Sequence, residues 1–233
     1  MPDRQRALRR GAKLTVQGAM TLRLRDIGAG LIFASLAIAG YPAFAEVSEA
    51  TKTVAMTASA PQPSFVAADF AVPTLIEGPG FKLVPLGPDL VKVDFDAYMS
   101  SIEHLQRTFS RSDRWPRQGI TDADALRDME NEQSRFAGRK SFAYAVLTPD
   151  GKRERGSVYV SPSPVKGHDA TVRMWVTKAD YDAGFDAELY KWVTAWVQKD
   201  WPFKSVVYPG RSIEWATWDS MVAASKAGPA VSK

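Results

Sequence analysis

DATVRMWVTKADYDAGFDAELYKWV, residues 169–193, switches from one periodicity to another. Val172, Met174 and Val176 alternate with Thr171, Arg173 and Trp175, the period of a strand. From about Asp186 to Asp200, Leu189, Val193, Trp196 and Val197 recur at helical spacing. Asp186 reads as the N-cap, with Phe185 and Tyr190 as a hydrophobic staple. A strand–turn–helix junction with a glycine in the turn suits a phosphate, because a helix start offers unpaired N–H groups and partial positive charge. This turn has Gly184, but also Asp180, Asp182 and Asp186. Like charges about 4 Å apart repel by about 1 kcal/mol in water and several times that in a drier cleft. Lys178 offsets part of that, and the turn reads as structural, with Asp182 a turn residue.

FKLVPL, residues 81–86, reads as a first strand, and Asp94 as the cap of a helix through about Leu105. Residues 110–119 form a loop; Thr121 and Asp124 resemble a capping box opening a helix that ends near Gly138. SFAYAVL, residues 141–147, is apolar on both faces, as a central strand is. Pro149-Asp150-Gly151 turns the chain into GSVYVSP, residues 156–162. KSVVYPG, residues 204–210, is a last strand, residues 211–218 a short strand or extended arm, and residues 219–233 a flexible tail. Strand, two helices, three strands, helix, strand is an α+β order with a mixed, mainly antiparallel sheet, shortened at the C-terminus.

The N-terminal part has another character. Arg23 and Arg25 precede the apolar run 27–40, and Ala43 and Ala45 form an A-x-A site. Residues 1–45 therefore read as a signal peptide, too short for a stable membrane span, with a periplasmic or secreted product. A start at Met56 would instead leave a cytoplasmic protein. Residues 46–80, rich in Ala, Pro, Ser and Thr, read as a linker. Of 30 Lys/Arg and 26 Asp/Glu, seven and two lie in residues 1–45, leaving 23 and 24. The body carries no cationic cluster, which argues against nucleic acid as partner. The chain has no cysteine, so disulfides, thiolate metal sites and a cysteine nucleophile are excluded.

The stretches FKLVPLGPD, AYMSSIEHL, FAYAVLTPDG, GSVYVSP, GHDATVRMWV and KDWPFKSVVYPGR, with their order, resemble the GNAT acetyltransferase superfamily over roughly residues 80–218. The resemblance implies acetyl-CoA in a V-shaped opening between the strand at 169–176 and the strand at 204–210. It implies contacts from Met174, Trp175 and Val176 to the pantetheine arm, and a pyrophosphate on the turn holding Asp182 and Gly184. It further implies transfer of an acetyl group to an amine substrate. The turn lacks the family's Gln/Arg-x-x-Gly-x-Gly/Ala pattern, and the family's additional helix after the last strand is not apparent. No acid lies within the strand 170–176 to act as base; Asp169 is only at its start.

His104 and His168 show no metal-ligand spacing and read as surface or hydrogen-bonded residues. Trp192, Trp196 and Trp201 read as core. Trp115, Trp175, Trp215 and Trp218, with Tyr208 and Arg211, either line a small-ligand pocket or plug the opening between the strands. Trp115, Tyr208 and Arg211 are the expected pocket residues; Arg211 grips either a ligand anion or a neighbouring acid. Two functions stay open: an acyl-CoA-dependent N-acetyltransferase, and an exported non-catalytic small-ligand-binding or scaffold protein on the same fold.

Overall fold

Strand β3 (Phe142–Leu147) is buried along its whole length, and the domain is built around it. Phe142, Tyr144 and Val146 point to one side, where α5 (Phe185–Asp200) brings Leu189, Val193, Trp196 and Val197. Ala143, Ala145 and Leu147 point to the other, where α3 (Asp122–Ala137) brings Met129. A period-two strand with apolar residues at every position needs cover on both faces, and helices supply it.

The structure is a computed structural model and describes residues 64–227. The signal peptide expected in residues 1–45 lies outside the described residues. Six strands run in chain order across one sheet: β1 (Ile76–Gly78), β2 (Phe81–Pro85), β3, β4 (Glu154–Pro162), β5 (Ala170–Val176) and β6 (Val206–Val207). The first five pair antiparallel; β6 joins parallel, so the sheet is mixed. Between β2 and β3 the chain forms α1 (Val91–Met99), α2 (Ile102–Leu105), a π-helical turn at Gln106–Ser110, and α3. Between β5 and β6 it forms α4 (Lys178–Asp182) and α5. The capping box opening α3 is present: Asp124 N donates to Thr121 Oγ1 (3.1 Å) and Thr121 N to Asp124 Oδ2 (3.2 Å).

The pairing of β5 with β6 covers only Ala170–Val206 and Thr171–Val207. Asp169 fixes it by accepting from Lys204 N (2.7 Å) and Ser205 N (2.9 Å). Past Thr171 the strands part. Among the described residues, no strand lies beside the edge of β5 from Val172 to Val176 on that side. The strand expected over 204–210 is thus cut to two residues, with Pro202 and Pro209 flanking it.

Other elements differ from the sequence expectation. Residues 64–80 are packed, where composition alone reads as linker. Val66 is buried, Phe65 stacks on Phe142 and Phe203, and Phe70 meets Trp201. Arg139 ties this segment down through the carbonyls of Ala67 (2.5 Å) and Phe70 (2.8 Å). Helix α1 begins at Val91, ahead of Asp94, because a single turn at Pro88–Leu90 leads into it with proline at its start. It breaks at Ser100–Ser101. The N-cap of α5 is Gly184, whose φ of 84° favours glycine, not Asp186.

The C-terminal segment is neither strand nor frayed tail through Ala227. It forms α6 (Trp215–Ala227), which sets Trp218, Met221 and Val222 on Val165 and Val207. Arg111 grips Asp219 of this helix bidentately, at 3.0 and 2.8 Å. Among the described residues no helix is long and apolar enough to cross a membrane.

The packed N-terminal segment gives a direct test. Replacing Phe65 and Phe70 together by alanine is expected to lower unfolding stability by about 2–4 kcal/mol, since both are partly buried aromatic anchors. A shift of the urea midpoint checks this; a linker would show none.

Candidate functional site

The divergence of β5 from β6 opens a cleft. Its cavity, about 240 Å³, is lined by Arg173, Met174 and Trp175 of β5, His104 and Thr108 below, Tyr181 and Asp186 at one end, and Pro209 to Arg211 with Trp215 opposite. Gly210 lies so close to the Trp215 indole that a Cβ there would overlap the ring. Phe109 completes the wall.

Arg173 is the notable charge. It donates to the Phe109 carbonyl, and its guanidinium lies over the rings of Phe109 (4.3 Å) and Trp215 (5.5 Å). No carboxylate pairs with it among the described residues, and its Nε is buried without a partner. Burial, with Arg111 nearby, pulls its pKa below the usual arginine value. A half-buried guanidinium of this kind gains from an anion, which a ligand can supply.

The acids of the turn are already neutralised. Asp180 is buried and accepts from Arg153 (2.6 Å), Arg155 (2.7 Å) and Thr177 Oγ1 (2.7 Å). Burial alone would raise its pKa, but these donors outweigh it and hold the carboxyl below its usual range. Asp182 pairs with Lys178 at 2.6 Å. Asp186 takes both arms of Arg211, at 2.9 and 2.7 Å. The repulsion expected from three unpaired acids is therefore absent: four cations face them. Arg155 also lies over the Phe185 ring at 3.3 Å, joining β4, α4 and α5.

The sequence-derived site residues separate accordingly. Met174, Trp175 and Arg211 line the cleft; Gly184 is the left-handed hinge between α4 and α5. Val176 points into the core, and Asp182 is exposed and bound to Lys178. Tyr208 packs on Tyr190 within the core, and burial pushes its pKa up to about 12. Trp218 braces α6. Trp115 belongs to a different cavity. His104 is buried in the cleft wall against Tyr181, at 4.8 Å between ring centroids, and burial lowers its pKa.

That second cavity, about 520 Å³, lies between α1, α3 and the sheet. Asp94 and Tyr98 stand in it from α1, Asp128, Glu132 and Arg135 from α3, and Tyr159 from β4, with Phe109 and Trp115 from the connecting segment. Phe109 is common to both cavities, and Trp175 Nε1 donates to Tyr159 Oη (3.4 Å) between them. Behind Asp94 lies Glu154, 1 % exposed, which accepts from Ser157 Oγ (2.7 Å). Its other oxygen finds no N–H or hydroxyl donor among the described residues. The two carboxyls share a proton: burial, and then the Asp94 charge, keep Glu154 protonated, and it donates to Asp94. Asp94 itself rises to about 7, through burial first and then the charges of Asp128 and Glu132, against the pull of the Glu154 hydrogen bond. Neither residue stands out in sequence; an acid at a helical core position, Asp94 among Val91, Phe95 and Tyr98, is the one available signal. Among the described residues no group of three or more His, Asp or Glu side chains is placed to hold a metal.

An antiparallel sheet with strands in chain order, a parallel last strand that splays from its neighbour, and helices on both faces are the α+β arrangement that the resemblance to the GNAT superfamily implies. Neither protein-family models nor curated proteins give a match. Among solved structures the chain is similar to ribosomal-protein-S5-alanine acetyltransferase from Vibrio fischeri, with a TM-score of 0.48 and 11% identity over 64% of this chain and 82% of that one. It is also similar to a protein from Bordetella pertussis ascribed to the GnaT family of acetyltransferases, with a TM-score of 0.42 and 15% identity over 58% and 78% of the two chains.

Asp94 gives a stability prediction with a defined sign. Its carboxyl faces Glu154 and Tyr159 of β4, Tyr98 of its own helix, and Asp128, Glu132 and Arg135 of α3. A carboxyl raised from 3.8 to about 7 stabilises the fold below the lower value, and the contribution is lost as pH rises to the upper one. Asp94→Asn is expected to be more stable than the parent at pH 8, by on the order of a few kcal/mol, and to lose most of that advantage at pH 5. Chemical denaturation at the two pH values checks this.

Proposed function

We propose that the cleft between β5 and β6 binds an acyl-CoA and that the protein is an acyl-CoA-dependent N-acyltransferase. One observation carries this reading. The edge of β5 from Val172 to Val176 lies unpaired beside a cavity that also holds Arg173, a half-buried cation with no carboxylate partner among the described residues. An extended chain with amide groups can add to such an edge as a further strand does. Arg173 and the Arg211 end of the cleft suit an anionic terminus, and the paired acids of the turn no longer oppose one.

The residues fit the cofactor in that sense. Met174 and Trp175 would hold its amide-bearing arm and the N-terminal end of α5 its charged end. Bound there, the thioester would supply an activated acyl carbonyl. The protein's own part is to fix the arm along β5, to keep water out with Phe109, Trp175 and Trp215, and to fix the closed end of the splay through Asp169.

A second reading, a binding protein without catalysis, is favoured by the state of the α4 start. Lys178 N already donates to Ser101 Oγ (2.9 Å) and Asp180 N to Thr177 Oγ1 (3.1 Å), so these donors are not free for a phosphate.

Calorimetric titration with acetyl-CoA separates the two. Saturable binding in the micromolar range is expected, weakened about tenfold in Arg173→Met, the value of one charge-assisted hydrogen bond. Acetylation of an amine panel, read by mass, should follow. No binding at millimolar cofactor would sink the acyltransferase reading.

A further inference from the structure

The acidic cavity is a separate feature from the cleft, and it carries a polarity of its own. Asp94, Asp128 and Glu132 face it, against one cation, Arg135. Burial raises the pKa of Asp128 and Glu132, as it does that of Asp94. Acids alone do not make a site. Here two polar side chains more than nine-tenths buried also point into the space. Asp94 is 5 % exposed and its hydrogen-bond partner is the Glu154 carboxyl; Tyr98 is 3 % exposed and its hydroxyl has no hydrogen-bond partner among the described residues. A hydroxyl so placed is left unsatisfied only at a cost, and a ligand removes it.

The walls select the kind of ligand. Leu86, Ala125 and Met129 are apolar, and Phe109, Trp115, Tyr98 and Tyr159 present aromatic rings. Aromatic faces beside carboxylates attract an alkylammonium, through ring quadrupole and charge together. A hydrated divalent metal gains nothing from such walls and needs converging oxygen ligands. The volume of about 520 Å³ suits a small organic molecule.

We propose that this cavity binds an organic cation with a primary ammonium group, seated on Asp94 and the Tyr98 hydroxyl, its alkyl stem against Leu86 and Met129. Exposed Asp128 and partly buried Glu132 stand nearer the mouth, placed for a second positive charge on the same molecule. The site exists whether or not the cleft holds a CoA thioester.

Binding is coupled to a proton. When the Asp94–Glu154 pair carries two protons, the entering ammonium displaces one of them to solvent; the pair then holds a single proton and one negative charge, which the ammonium balances. No bond other than that O–H breaks. The groups that face Asp94 are Glu154 and Tyr159 from β4, Tyr98 from α1, and Asp128, Glu132 and Arg135 from α3. Of these, Asp94 in its pair with Glu154 is raised to about 7. Cation affinity therefore rises with pH through that value.

Calorimetry with butane-1,4-diammonium, without any cofactor, tests the inference; 1-butanol serves as the neutral control. One saturable site is expected, about tenfold tighter at pH 8 than at pH 6, as one proton with a midpoint near 7 requires. Heats measured in two buffers of different ionisation enthalpy should report proton release. Asp94→Asn should abolish binding while retaining the native circular dichroism spectrum. Tyr98→Phe, which removes one oxygen, should weaken binding and keep its pH dependence. No saturable heat at about 10 mM probe, equal affinity at both pH values, unchanged binding in Asp94→Asn, or displacement of the probe by millimolar Mg²⁺ or Ca²⁺ would each overturn the proposal. Failure of acetyl-CoA to bind the cleft would leave it standing.

Discussion

The constraint from which the rest follows is the shortness of the parallel contact between β5 and β6. Two residue pairs hold the last strand to the sheet, fixed by the carboxylate of Asp169. Were the pairing longer, the edge of β5 would be satisfied by backbone and no cleft would form. Because it stops at Thr171, backbone polar groups of β5 remain beside the cavity, and Arg173 and the packed indole of Trp175 form part of its wall. Buried backbone groups need partners. The sheet thus keeps a place for an extended molecule by leaving its own ladder unfinished.

What keeps the parting strands from collapsing is a set of charges at the far end of the cleft. Asp180, Asp182 and Asp186 look in the sequence like an obstacle to anions, and in space they are clasps. Asp180 draws Arg153 and Arg155 of β4 onto α4; Asp186 draws Arg211 onto α5. Single exposed ion pairs contribute little. The Asp180 cluster is different: the acid is buried, takes three charge-assisted or hydroxyl donors, and carries Arg155 against Phe185. Removing one partner would strand a buried charge, the costly case.

Much of the fold was legible from period alone. FAYAVL reads as a central strand because every position is apolar, and DATVRMWV as a strand with two distinct faces; both are so placed. Thr121 and Asp124 mark the start of α3 unambiguously. The misreadings have physical causes. Residues 64–80 carry proline and small residues, yet Phe65, Val66 and Phe70 are enough to anchor them, a tertiary effect without local period. Helix α6 does carry a signal, Trp215, Trp218 and Val222 at helical spacing, masked by the Ala/Ser/Lys tail that follows. The cleft residues Met174 and Trp175 followed from a strand and a resemblance. The Asp94–Glu154 pair did not, because two acids sixty residues apart give no local pattern; only the stacking of α1 on β4 brings them together.

The seven tryptophans divide the molecule optically. Buried Trp196 and Trp201 form a contiguous cluster with partly buried Trp192, with ring centroids 5.8 and 5.7 Å apart along the chain of contacts. Their emission reports whether that core is intact. Trp115 stands in the wall of the acidic cavity and Trp215 in that of the cleft, each only partly buried. Light from those two indoles depends on what fills the space beside them. The chain thereby carries an intrinsic fluorophore for each cavity and a third, independent group for the fold, so occupancy and integrity can be followed in one unlabelled sample.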